Sequence, residues 1–276
     1  MEPSKEDVDA LVREKYGNDR EAAGLADDIA RLAGGEPLAY VIGHIPFMGL
    51  SLDLFSHPLI PRPETEWWTE LLINHLNEIS LKKEKTLFST TVVNKVSYEE
   101  KQETKDTPRE IRVLDLCAGS GAIGLAVLKH CPNTHISFGE RMEEHDAVIR
   151  KNIKDNDLDA ARADIRIGDL CAPFVGERFD LIASNPPYIP TKRTLEASVV
   201  AFEPPEALFA GADGLNIIRR ICSDASLFLN PGGEMWMECD ISNIEQASAL
   251  AIEGGASYTK IRTDQYGRPR LLVAYY

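Results

Sequence analysis

From Ile111 onward, short apolar runs alternate with stretches of helical periodicity, and this alternation restricts the chain to very few folds. The runs are IRVLDL, HISF, ADIRI, FDLIAS, EMWME, YTKIRT and RLLVAYY, with helices expected to about Lys129, to about Asn156, around 215–229 and around 244–252. Such β-α alternation predicts a mostly parallel sheet covered by helices on both faces. Only residues 264–269 separate the last two strands. A parallel pair needs a crossover of roughly a dozen residues or more, so the final strand is predicted to run antiparallel to its predecessor.

The first part of the chain reads differently. Residues 4–33 predict one or two short helices, with Ser4 and Asp7 as a capping box and Gly34-Gly35 as the stop. Leu50, Leu52 and Leu54 alternate with Ser51 and Asp53, as in a half-buried strand, after a turn at Met48-Gly49. Pro58, Pro61 and Pro63 exclude regular structure until a helix near Glu64, which turns Trp67 or Trp68, Leu71, Leu72, Leu76 and Ile79 inward. Residues 80–110 read as an exposed linker or insertion whose centre, 87–96, forms a strand or hairpin. The expected division is a short helical domain (1–35), a linker (36–110) and a catalytic domain (111–276).

With 30 Lys+Arg against 44 Asp+Glu the net charge is -14, which argues against a broad basic face gripping nucleic acid. The five cysteines form no C-x-x-C pair, so a disulfide framework and a zinc site are not expected, and no metal is assigned. No apolar run approaches the ~18 residues of a membrane span, and MEPSKEDVDA does not resemble a signal peptide. A cytoplasmic protein without membrane contact is expected.

Asp115-Leu116-Cys117-Ala118-Gly119-Ser120-Gly121-Ala122-Ile123-Gly124 follows the first strand of the alternating region and opens a helix. G-x-G-x-x-G in this context permits close approach of a nucleotide to the backbone. A dehydrogenase would set a pyrophosphate there, whereas a methyltransferase would lay S-adenosylmethionine across the loop. Asp115 is awkward beside a pyrophosphate and suits the cationic amino-acid end of S-adenosylmethionine. Glu140, closing the second strand, can accept both ribose hydroxyls of either ligand. Asp169 faces the adenine amino group or caps a turn.

Ser184-Asn185-Pro186-Pro187-Tyr188 follows the fourth strand, at the carboxyl end of the sheet and next to the glycine loop. Two prolines fix φ at consecutive positions and remove two donors. What remains is a stiff row of acceptors, the Asn185 side-chain oxygen and the Pro186 carbonyl, beside the Tyr188 ring. That arrangement suits a planar nitrogen whose lone pair is delocalised. Two acceptors on its hydrogens aim the lone pair at an incoming methyl group and stabilise the positive charge that develops. Tyr188 can stack on the planar group and favour a sulfonium.

These motifs, together with Gly35-Glu36-Pro37-Leu38-Ala39-Tyr40, Ile60-Pro61-Arg62-Pro63-Glu64-Thr65-Glu66, and Phe202-Glu203-Pro204 with Ala207-Leu208, resemble the HemK/PrmC family of release factor glutamine methyltransferases. The resemblance spans roughly 34–276. It implies a class I S-adenosylmethionine-dependent methyltransferase, with a Rossmann-like seven-stranded sheet, antiparallel last strand, helical N-terminal region and β-hairpin linker (about 46–60). It implies methylation of the side-chain amide of the glutamine in a Gly-Gly-Gln motif of a peptide chain release factor. It places Cys117, Ala118, Gly119, Ser120, Gly121, Glu140, Leu170 and Asn185 at cofactor positions, and Asn185, Pro186, Pro187 and Tyr188 on the glutamine. Pro61, Arg62, Glu64 and Thr65 line the site from the linker side or form a corner between domains, and Glu203 lies near the substrate. Cys117, where relatives commonly carry Gly, Glu140 for Asp, and Leu170 for an aromatic depart from the family pattern. A monomer is expected, with no stable nucleic-acid partner. The alternative is methylation of an exocyclic amine such as that of adenine, which Asn-Pro-Pro-Tyr also permits.

Overall fold

The computed structural model describes residues 2–93 and 110–276. Three helices open the chain: α1 (Lys5–Tyr16), α2 (Leu25–Ala33) and α3 (Leu38–Ile42). Ser4 caps α1 as its spacing predicts, its Oγ accepting from the Asp7 amide at 3.0 Å. Leu11, Val12, Leu25, Leu32 and Val41 bury a small core of their own. Strands β1 (His44–Phe47) and β2 (Leu50–Asp53) form an antiparallel hairpin. Its two-residue turn places Met48 at φ 47 and Gly49 at φ 74, the paired positive φ that matches strand twist. The hairpin therefore begins and ends earlier than the 46–60 implied by resemblance.

Helix α4 (Pro63–Val93) starts with Pro63 in its first turn, where a missing N–H costs nothing. Trp68, Leu72 and Leu76 are buried, with Trp67, Leu71 and Ile79 packed beside them. The strand or hairpin expected at 87–96 is corrected, because the helix continues through Val93. No Gly or internal Pro interrupts 64–93, so nothing local stops it. Residues 94–109 lie outside the described residues.

The remaining strands are β3 (Ile111–Leu116), β4 (Thr134–Glu140), β5 (Ala163–Ile167), β6 (Phe179–Ser184), β7 (Leu229–Glu238), β8 (Tyr258–Thr263) and β9 (Pro269–Tyr275). The helices are α5 (Ala122–His130), α6 (Glu143–Asp155), α7 (Ala197–Phe202), α8 (Pro205–Leu208), α9 (Asn216–Phe228) and α10 (Ile244–Glu253). The sheet order is β5-β4-β3-β6-β7-β9-β8, parallel except for β9, which inserts antiparallel between β7 and β8. Alternate residues feed two cores. Val113, Ile136 and Leu181 pack under α4, α5 and α6, while Leu114, Leu116 and Ile182 pack under α9 and α10.

The order reverses at β3, which pairs with β4 on one side and β6 on the other. Open α/β sheets bind ligands at such a switch point, beyond the strand carboxyl ends. Leu116 pairs with Ser184, and the Ser184 hydroxyl donates to the Leu116 carbonyl at 2.8 Å. The glycine loop and the Asn-Pro-Pro-Tyr loop therefore leave the sheet side by side.

Candidate active site

Two cavities open at this switch point and share Leu59, Asn185 and Ala207. The first runs along the ends of β3, β4 and β5. Of the cofactor residues expected from sequence, Cys117, Gly119, Glu140, Asp169, Leu170 and Asn185 line it.

Asp115, Ala118, Ser120 and Gly121, also expected at the cofactor from sequence, are not among its lining residues. The loop meets the cleft through Cys117 and Gly119, and the residues between and after them turn back onto the fold. The Ala118 carbonyl accepts from the Gly121 amide at 2.7 Å. Ser120 is buried, with its carbonyl accepting from Asn152. Gly121, at φ 82, serves as the N-cap of α5. Asp115 is fully buried and accepts from the Gly124 amide at 2.8 Å. Burial pushes its pKa up to about 7, the Gly124 amide opposing and the Glu140 charge adding to the rise. Its Oδ2 braces the start of α5, and its buried Oδ1 has no partner among the described residues.

Glu140 is buried at the end of β4. Its Oε2 accepts from the Gly119 amide at 2.7 Å, and its Oε1 from the amides of Arg141 at 2.7 Å and Met142 at 2.8 Å. Burial raises its pKa, but hydrogen bonding to His145, Met142 and Gly119 outweighs that and the net shift is downward. A carboxylate offers about four acceptor positions, and three backbone amides already bond this one. Asp169 sits on the rim, held by Arg220 at 2.6 Å, which lowers its pKa.

Cys117 (φ 60) and Leu170 (φ 50) are non-glycine residues in the left-handed region, and both line the cleft. Each such residue costs of order 1–3 kcal/mol and persists only where its surroundings over-determine it. A glycine at position 117 would meet this requirement without the Cβ penalty. Arg141, Met142, His145 and Arg220 also line the cleft and were missed. The first three lie within five residues after Glu140 and were reachable from that position; Arg220 carries no local signal.

The second cavity is lined by Arg62, Asn185, Pro186, Tyr188 and parts of α7 and α8. The rigid loop thus divides its residues, with Pro187 on the first cavity, Pro186 and Tyr188 on the second, and Asn185 on both. Asn185 Nδ2 donates to Thr65 Oγ1 at 3.2 Å. Its Oδ1 is buried and has no partner. Leaving a buried acceptor unpaired costs roughly 1–3 kcal/mol, a cost that a ligand hydrogen removes. The Tyr188 hydroxyl donates to Glu238 at 2.9 Å. Burial first, and then the Glu238 charge, push its pKa well above the usual range.

Of the linker-side residues, Arg62 lines the second cavity, whereas Pro61, Glu64 and Thr65 do not. Thr65 is buried behind Asn185. Glu203 lies behind Arg62, accepting from its guanidinium at 2.5 Å and from the Ile60 amide at 3.4 Å. Glu64 is felt electrostatically by Arg270.

The first cavity combines a carboxylate at a strand end, a backbone loop of positive φ, apolar Leu170 and Ile217, and an unpaired oxygen at its inner edge. These residues fit a nucleoside carrying a cationic sulfur. With the sheet order, they define a class I S-adenosylmethionine-dependent methyltransferase.

The family model described as Methyltransferase small domain matches residues 78–203. The methyltransferase domain of METTL16 superposes with a TM-score of 0.51 at 16% identity, covering 83% of this chain and 89% of that one. The Thermus thermophilus 16S rRNA N2 G1207 methyltransferase gives 0.50 at 17% identity, covering 84% and 49%. Both likenesses bear on the fold alone. The chain is 31% identical over 262 residues to the release factor glutamine methyltransferase of Deinococcus radiodurans, covering 95% of this chain and 82% of that one. It is 33% identical over 255 residues to that of Agrobacterium fabrum, covering 92% and 79%. The chain belongs to the release factor glutamine methyltransferase family.

No group of three or more metal-ligating side chains occurs among the described residues. No helix among them is long and apolar enough to cross a membrane.

Proposed function

We propose that this protein transfers a methyl group from S-adenosylmethionine to the side-chain amide nitrogen of a glutamine in a peptide chain release factor, within a Gly-Gly-Gln motif. The observation that carries this reading is the buried, unpartnered Oδ1 of Asn185 at the junction of the two cavities. One cavity suits the cofactor, and the other, walled by Arg62, Pro186 and Tyr188, suits an extended peptide carrying a planar side chain.

S-adenosylmethionine, when bound, supplies a methyl group on a positively charged sulfur. Asn185 Oδ1 accepts a hydrogen of the glutamine amide, and the Pro186 carbonyl is the second acceptor expected there. Together they orient the nitrogen lone pair toward the first cavity and stabilise positive charge on that nitrogen. The stiffness of two consecutive prolines keeps the acceptors in place without reorganisation. Tyr188 flanks the planar amide, its hydroxyl already committed to Glu238. No general base is required before transfer, because a methylated, positively charged amide nitrogen is strongly acidic and loses its proton to water.

Incubation with methyl-labelled S-adenosylmethionine and a purified release factor tests the reading. Label enters the wild-type factor and not its Gln→Ala variant in Gly-Gly-Gln. Label in DNA or RNA and none in the protein would replace this substrate class with an exocyclic amine.

A further inference from the structure

Glu238 ends β7, is 1% exposed, and is bonded to residues distant in sequence. Its Oε2 accepts from Thr65 Oγ1 at 2.7 Å and from Trp68 Nε1 at 2.8 Å, and its Oε1 accepts from the Tyr188 hydroxyl at 2.9 Å. Thr65 Oγ1 in turn accepts from Asn185 Nδ2. One carboxylate therefore reaches both ends of the Asn-Pro-Pro-Tyr loop.

We propose that Glu238, acting through Thr65, is the positioning residue that sets the direction of the Asn185 carboxamide and so makes Asn185 an acceptor toward the substrate amide. The inference rests on the function proposed above. A carboxylate only accepts, and an indole N–H only donates. The single hydroxyl hydrogen of Thr65 is consequently committed to Glu238. Its oxygen is left to accept, and Asn185 must present Nδ2 to it. Oδ1 then faces the cavities, where it has no protein partner. With the chain reversed, Asn185 would present its NH2 group to the NH2 group of the substrate.

Thr65→Val keeps the shape and removes the relay. Its kcat is expected to fall about 100-fold, the cost of losing the position of a reacting group, with cofactor affinity unchanged. Thr65→Ser restores kcat. Glu238→Gln keeps most activity, because Trp68 can only donate and so holds the amide oxygen of Gln toward itself and Thr65. Glu238→Leu loses activity as Thr65→Val does, and the double variant is no worse than Glu238→Leu alone. Independently of any substrate, the Asn185 side-chain NH2 signal of 15N-Asn-labelled protein is protected from exchange in the wild type and unprotected in Thr65→Val.

Thr65→Val with wild-type kcat and a protected Asn185 NH2 would overturn the inference. So would equal losses of kcat and cofactor affinity. A wild type that labels no release factor sinks the functional reading instead, and the Asn185 signal, compared between wild type and Glu238→Leu, still decides the role of Glu238: protection retained in Glu238→Leu would overturn it.

Discussion

The amide of Gly119 donates to Oε2 of Glu140 at 2.7 Å, so the carboxylate that closes β4 also closes the glycine loop after β3. Sequence spacing assigned Glu140 to a ribose. The structure adds that the same side chain shapes the surface on which a nucleoside would lie. Glu140→Ala is therefore expected to weaken S-adenosylhomocysteine binding by calorimetry at least ~10-fold, about 1.4 kcal/mol. Turnover at saturating cofactor should fall less. An unchanged dissociation constant would remove Glu140 from the cofactor site.

Asn185→Ala is expected to show the opposite balance. The variant loses the acceptor at the junction of the cavities and should drop in kcat by roughly 100-fold or more. Cofactor affinity should stay close to wild type. A parallel collapse of cofactor binding would contradict the assigned role.

Asp115 links the fold to pH. Its pKa in the folded state is about 7, against ~3.9 for an unfolded Asp. A raised folded value means that its stabilising contribution is complete below the unfolded pKa and is lost as pH climbs through about 7. Wild-type stability should thus decline relative to Asp115→Asn between those values, with a limiting slope of roughly 1.4 kcal/mol per pH unit. Urea unfolding at pH 5 and pH 8 checks this. A gap between the two proteins that does not change with pH would show that Asp115 does not titrate in this range.

The last glycine of the loop is expected to tolerate no side chain. A Cβ at Gly124 would lie 2.4 Å from Phe138 and 2.9 Å from Asp115 Oδ2. Gly124→Ala should lower stability by about 1–3 kcal/mol, as overpacking does. Chemical denaturation measures it, and a stability equal to wild type would mean that helix α5 can shift freely against the sheet.

Arg62 and Glu203 form an ion pair in which the Glu203 side chain is 1% exposed. Arg62→Ala strands that carboxylate and is expected to cost about 3 kcal/mol. Adding Glu203→Gln removes the stranded charge and should recover part of the loss, while affinity for the release factor stays weakened. Additive losses in the double variant would contradict the pairing.

Most of the fold was legible because its signals are local. The β-α alternation, the short join before the last strand and the Ser4-Asp7 spacing each act within a few residues, and each has its counterpart in the structure. The lining role of Gly119, Glu140 and Asn185 was legible for the same reason, since strand ends announce themselves by composition. Glu238 was not, because its partners Thr65 and Trp68 lie 173 and 170 residues away. The bond from the Gly124 amide to Asp115 was not legible either, because a carboxylate before a glycine loop looks the same in sequence whether or not it bonds the helix behind it. The extent of α4 was missed because its charged stretch was read as a linker, although nothing in it breaks a helix.

If the two acceptors of the Asn-Pro-Pro-Tyr loop direct a methyl group onto a glutamine side-chain nitrogen, the product itself records it. Peptide mass spectrometry of a release factor treated with this protein and S-adenosylmethionine tests it most directly. One added methyl group is expected, on the side-chain amide of the Gly-Gly-Gln glutamine, absent with Asn185→Ala. A methyl group on any other residue, or an unmodified factor alongside methylated nucleic acid, would contradict it.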